Sequence, residues 1–132
     1  MILGFNKRFP QPILDGSKKH TIREDKHNRW KAGRIIHMAT GVRTKNYNCF
    51  CKCKCTGTQS ITIIHLGGWI QVFIDKRFFG EAYHHGLDDI HEYSTCLVEL
   101  ARNDGFSYLS EFFHWFNTDF EGKIIHWTDY RY

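Results

Sequence analysis

The segment Ser17-Lys-Lys-His-Thr-Ile-Arg23 gathers side chains able to do chemistry: Lys18, Lys19, Thr21 and Arg23. A lysine in a partly dry cleft has its pKa lowered enough to serve as a base. A threonine hydroxyl beside that amine becomes a nucleophile once its proton is taken. An arginine fork holds an anionic or carbonyl oxygen. The plainer reading is a solvated strand edge, with lysines that block edge-to-edge pairing and a threonine chosen for β propensity. Geometry separates the two. In a regular strand Lys19, Thr21 and Arg23 share one face and Lys18 points the other way. Lys18 meets Thr21 only from a turn ahead of the strand, and Gly16-Ser17 supplies such a turn.

The surrounding elements can be read from pattern. Phe9-Pro-Gln-Pro-Ile-Leu-Asp-Gly16 suits one or two helical turns with prolines near the start and a glycine cap. Residues 24–29 are polar and loop-like, Trp30-Lys-Ala-Gly33 is a turn, and Arg34-Ile-Ile-His-Met-Ala39 is a strand. Gly41-Val-Arg-Thr-Lys-Asn46 forms a second turn before the strand holding Cys49, Cys51, Cys53 and Cys55. Residues 56–64 and 69–75 read as strands parted by Gly67-Gly68. Leu87, Ile90, Leu97, Leu100 and Ala101 suggest a helix over 87–102. Leu109, Phe112, Phe113 and Phe116 define a clearer one. Residues 124–130 read as the last strand. Strands with a few helices and no βαβ alternation point to an α+β fold, a small mixed barrel flanked by helices.

The 132 residues suit one domain. Their net charge of +4 is unevenly laid out. Residues 1–60 carry 13 Lys+Arg against 3 Asp+Glu, and residues 61–132 carry 5 against 11. A basic first half favours an anionic partner, nucleic acid foremost. Met1-Ile-Leu-Gly-Phe5 followed by Asn6-Lys-Arg8 makes no signal-peptide core. The apolar stretch 61–74 contains His65, Gly67, Gly68 and Gln71 and is too short for a bilayer. The expectation is a cytoplasmic protein with no membrane partner.

The run Ile13-Leu-Asp-Gly-Ser-Lys-Lys-His-Thr-Ile-Arg23, with Trp30-Lys-Ala-Gly33 after it, resembles the ASCH domain of the PUA-like superfamily. The resemblance covers about the first 63 residues well. Asp104-Gly-Phe106, the helix after it and the final strand fit more loosely. Residues 64–100 stand as an insertion relative to the smallest members, within a single domain over 1–132. The N-terminal half is similar to the small N(4)-acetylcytidine amidohydrolases of that superfamily. The resemblance implies a PUA-like pseudo-barrel with a cleft beside the first helix, where RNA or a modified nucleobase binds. It also implies a catalytic lysine, threonine and acid. Lys18 matches the lysine and Thr21 the threonine. Asp104 is the nearest match to the acid, where the family has glutamate. Two functions follow, a binding module for RNA or a modified nucleobase and an amidohydrolase acting on N(4)-acylcytidine; the acidic second half and the aromatic helix support a third, a protein–protein adaptor.

In the first reading Lys18, Thr21 and Arg23 line the cleft and Trp30, Arg43 and Lys45 rim it. Trp30 stands among Lys26, His27, Arg29, Lys31 and Arg34, which suits stacking on a base beside phosphate contacts. Its plainer reading is a turn tryptophan closing one end of the core. The four close cysteines tempt a zinc reading. However, same-face neighbours on a strand lie ~6.7 Å apart, whereas zinc-bound sulfurs lie within roughly 4 Å of each other. Buried soft residues, with Lys52 and Lys54 outside, are the better account. His84, His85 and His91 with Asp88, Asp89 and Glu92 follow no ligand motif and read as surface around a helix start. No metal or cofactor is expected. Leu109, Phe112, Phe113, Trp115 and Phe116 read as a core helix, with Trp115 off the main stripe. Surplus aromatic surface there would favour a homodimer.

Overall fold

A computed structural model describes residues 1–132. Two sheets and three short helices enclose a single apolar core. The first sheet has three strands, β1 (Ile2–Gly4), β3 (Ile35–Thr40) and β4 (Asn48–Lys54), in the order β1-β3-β4. β1 runs parallel to β3, and β4 antiparallel to it. The second sheet is antiparallel and has six strands: β2 (His20–Arg23), β5 (Gly57–Leu66), β6 (Trp69–Ile74), β7 (Arg77–His84), β8 (Ile90–Tyr93) and β9 (Phe120–His126). Their order is β2-β9-β5-β6-β7-β8. The α+β mixture is as expected. The strands form two separate ladders rather than a closed barrel.

Local chemistry explains most boundaries. Helix α1 (Pro10–Asp15) begins on proline, whose missing N–H costs nothing there, and ends at Gly16 with φ +88°. The β3–β4 turn requires Gly41, where a Cβ would lie 2.5 Å from the Asn46 carbonyl oxygen. The β6–β7 hairpin turns on Asp75-Lys76, both left-handed, as a two-residue type I′ turn demands. β5 alternates strictly, placing Gln59, Ile61 and Ile63 inside. Helix α2 (Thr95–Asn103) buries Leu97, Leu100 and Ala101, and α3 (Leu109–Trp115) buries Leu109, Phe112 and Phe113.

Three expectations are corrected. The apolar spacing over 87–102 does not make one helix. Ile90 lies in β8, paired on β7, and the helix starts only at Thr95. Asp88 and Asp89 therefore sit in the turn before β8, not at a helix start. The last strand begins at Phe120 rather than Ile124, because β9 is an interior strand and pairs with both β5 and β2. The cysteine strand forms where expected, with Lys52 and Lys54 exposed. Only Cys55 is fully buried, and Cys51 and Cys53 pack against the core from a half-buried edge strand. Burial pushes the Cys53 thiol up to about 11, so it stays protonated at neutral pH. Residues 64–100 add the outer strands of the large sheet and the start of α2. No helix is long and apolar enough to cross a membrane.

Candidate functional site

The turn after α1 decides where Lys18 points. Gly16 ends the helix, and Ser17 is fixed by its N–H and hydroxyl on the Asp15 carboxylate. The Lys18 N–H returns to the Pro12 carbonyl (3.0 Å), and the Lys19 N–H bonds the Asn103 carbonyl (2.7 Å). β2 begins only at His20, so Lys18 escapes strand alternation and turns inward. Its side chain is 2% exposed. The amine lies 4.7 Å from the Phe9 ring centroid and 5.9 Å from that of Phe5. Gly105, at φ +94°, leaves the room this requires: a Cβ there would sit 3.0 Å from Lys18 Cδ and 3.1 Å from the Phe9 ring.

Lys18 Nζ donates to the Asp104 carbonyl oxygen (2.5 Å) and to Asp104 Oδ1 (3.3 Å). Asp104 follows α2 directly and is itself buried. Burial pushes the Lys18 pKa below its usual value, while the carboxylate beside it opposes that shift. Thr21 and Arg23 share a face of β2, as strand alternation dictates. Arg23 Nε donates to Thr21 Oγ1 (3.2 Å), and Nη2 donates to the Gly4 carbonyl (2.6 Å). Arg23 thus bridges β2 to β1, strands of different sheets that share no ladder. Its guanidinium also lies 4.9 Å from the Phe5 ring.

A cleft of about 290 Å³ opens at this junction. Lys18, Thr21, Arg23 and Asp104 supply its polar lining, and Phe5, Phe9, Phe106 and Trp115 most of its apolar wall. Phe9, Phe106 and Trp115 form a mutual edge-to-face cluster, with centroids 5.5 to 5.8 Å apart. Trp115 is 52% exposed at the mouth. Half-apolar walls around a few convergent charges are the usual make-up of a small-ligand site, and the volume lies near the lower limit of about 300 Å³ for such sites.

Behind the cleft lies a buried polar chain. His20 Nε2 meets the Tyr132 hydroxyl at 2.5 Å, and Asn103 Nδ2 donates to the same hydroxyl (3.0 Å). His20 Nδ1 lies 3.3 Å from Asp104 Oδ1, outside good hydrogen-bond alignment. Gln59 bonds the Tyr132 backbone in both directions and takes His126 Nε2 on its carbonyl oxygen. Burial pushes the His20 pKa down and holds that of His126 at about 3, so both rings are neutral at pH 7.

Of the residues singled out in the sequence, Lys18, Thr21, Arg23 and Asp104 come together. Trp30 does not join them: it is 6% exposed and belongs to the core, its backbone N–H held by Asp25. Arg43 and Lys45 are exposed in the β3–β4 turn and do not line the cleft. Sequence reasoning missed the aromatic wall and the His20–Tyr132 pair. The one available signal for the wall was the position of Trp115 off the buried stripe of α3. Comparison of the chain with protein-family models, curated proteins and solved structures returns no match.

Proposed function

We propose that the chain binds a nucleobase, carried by RNA or as a modified nucleoside, in the Lys18 cleft of an open PUA-like pseudo-barrel of the ASCH type. One observation carries this reading: a buried lysine, an arginine, a threonine and a carboxylate converge on a cleft walled by aromatic rings. A planar heterocycle slides against such a wall and presents its carbonyl and ring nitrogens to fixed donors. Arg23 Nη1 makes no hydrogen bond within the chain and is free to donate to such an acceptor. Trp115, rather than Trp30, is the exposed aromatic at the cleft and is assigned to stacking. Arg43 and Lys45, with the rest of the basic first half, are assigned to phosphates outside the cleft. Binding of single-stranded RNA should weaken steeply as salt rises, with a slope of about −0.7 per phosphate contacted. Affinity that is absent, or indifferent to salt, removes the RNA form of this reading.

The joint placement of Lys18, Thr21 and Asp104 also supports a second reading, hydrolysis of N(4)-acylcytidine. Lys18, having lost its proton, would take that of Thr21 as the hydroxyl oxygen attacks the acyl carbonyl. Arg23 would hold the developing oxyanion. As the C–N bond breaks, the proton on Lys18 would pass to the leaving amine, and water would then release the acyl group from Thr21. The amine is at present bonded to a carboxylate, a state suited to donating rather than abstracting, so binding is the leading function. Incubation with N(4)-acetylcytidine decides between them. Release of acetate that disappears in Lys18→Ala supports hydrolysis; no release, or release unaffected by that change, removes it.

A further inference from the structure

His20 has no assigned part in the cleft, although it is completely buried directly behind Asp104. Charged and titratable groups face its ring from every side. Lys18 and Lys19 precede it in the chain, Asp104 lies at the end of α2, His126 comes from β9 with ring centroids 5.4 Å apart, and Tyr132 follows β9. Which ring nitrogen carries the proton therefore decides what Asp104 meets.

Two separate arguments give the same tautomer. The Tyr132 oxygen accepts an N–H from Asn103, so its own proton is directed to the other partner, His20 Nε2, at 2.5 Å. That nitrogen must then be the acceptor, and a neutral ring carries its proton on Nδ1. Independently, Nδ1 lies 3.3 Å from Asp104 Oδ1. A lone pair there would face a carboxylate in a dry site, whereas an N–H is attracted to it.

We propose that His20 is a positioning residue: Tyr132 donates to Nε2, the imidazole keeps its proton on Nδ1, and the dipole of this N–H, 3.3 Å from Asp104 Oδ1, draws the carboxylate into place beside Lys18. The hydrogen bonds Asn103→Tyr132→His20 run in one direction and leave the Nδ1–H facing the Asp104 carboxylate at 3.3 Å. The functional part of this inference rests on the Lys18 cleft being the ligand site; the tautomer does not.

The test has two arms. Long-range ¹H–¹⁵N NMR on the intact, unligated chain reads the His20 tautomer directly. A neutral ring protonated on Nδ1 at pH 7, with that preference weakened in Tyr132→Phe, is the expected result. Protonation on Nε2, or an imidazolium, overturns the proposal. The second arm compares His20→Asn, whose amide N–H reaches the Nδ1 position, with His20→Gln, whose amide reaches the Nε2 position. With N(4)-acetylcytidine as probe, the Asn variant should stay within about threefold of the parent. The Gln variant should bind at least about tenfold more weakly, the usual effect of leaving a buried carboxylate one donor short. Equal losses in two folded variants mean that His20 merely fills space, and overturn positioning. If the parent chain binds neither this probe nor a short single-stranded RNA, the cleft reading fails, while the tautomer measurement still decides the hydrogen-bond chain without any substitution.

Discussion

Two cavities are built on strand β2 and the residues beyond it, and they differ in kind. The larger, about 460 Å³, is lined by Glu24, Asp25, Lys26, Ser60, Glu121, Gly122 and Lys123, with no hydrophobic residue. The smaller is the Lys18 cleft of about 290 Å³, half of whose lining residues are hydrophobic. In the first, the Lys123–Asp25 pair is closed on itself and on the Arg29 and Trp30 N–H groups, and the pair left open, Lys26–Glu24, is 3.7 Å apart with side chains 78% and 60% exposed. In the second, Lys18 and Asp104 are 2% and 4% exposed. Water screens the Lys26–Glu24 pair to near nothing and barely reaches Lys18 and Asp104. Size therefore does not mark the site. Charges taken out of water and held by aromatic walls do, because only there does a ligand meet donors that water has not already satisfied.

The sharpest contrast comes from breaking each pair. Asp104→Ala leaves Lys18 buried without its carboxylate and should cost roughly 3–5 kcal/mol in urea unfolding. A loss under about 1 kcal/mol would show that the two residues are far wetter than described. Trp115→Ala should lower nucleobase affinity by about 1–3 kcal/mol, the usual contribution of a stacked ring. Its unfolding midpoint should hardly move, since the ring is half exposed. The same truncation at Trp30 should do the reverse. Gly105→Ala and Gly33→Ala separate strain from crowding, since both residues have φ +94° but only Gly105 has neighbours around the absent Cβ. Each should cost about 1–2 kcal/mol for the left-handed backbone, and any excess at Gly105 measures the squeeze on Lys18 and Phe9. Truncating Lys26 or Glu24 should change stability by no more than about 0.5 kcal/mol.

Acid should expose the same difference. The folded His126 pKa of about 3 lies below the ordinary 6.5, and that of His20 is lowered too. Between pH 6.5 and 3 the unfolded chain takes up protons that the folded one refuses. Stability must therefore fall as pH drops through that window. Lys18 acts in the same sense at the other end: its lowered folded pKa makes stability rise with pH towards 10.5. Equilibrium unfolding across pH checks both slopes. A flat acid limb would contradict the burial of the two imidazoles.

Much of the cleft was legible because it depends on local rules. The proline start and glycine stop of α1, and the turn at Ser17, suffice to lift Lys18 out of strand alternation; its meeting with Asp104 was expected only from the family resemblance. The pairing of β3 with β4 and the β5–β6 hairpin at Gly67-Gly68 were readable for the same reason. What failed depends on distant partners. Ile90 fits a helical stripe but is claimed by β7, and β9 extends back to Phe120 because β5 and β2 pair with it on both sides. Trp30, surrounded by lysines and arginines in sequence, is drawn into the core by apolar contacts that its neighbours do not report. His20 was unremarkable as a strand histidine, since the groups it meets, Asp104 and Tyr132, are 84 and 112 residues away.

The most direct measurement is a titration of the ¹⁵N-labelled chain with N(4)-acetylcytidine and with a short single-stranded RNA, followed by NMR. Saturable shifts at the Thr21 and Gly105 amides and the Trp115 indole, lost in Lys18→Met, are expected if the Lys18 cleft receives a nucleobase. No saturable shifts, or shifts confined to Glu24, Ser60 and Lys123 around the larger cavity, would contradict it.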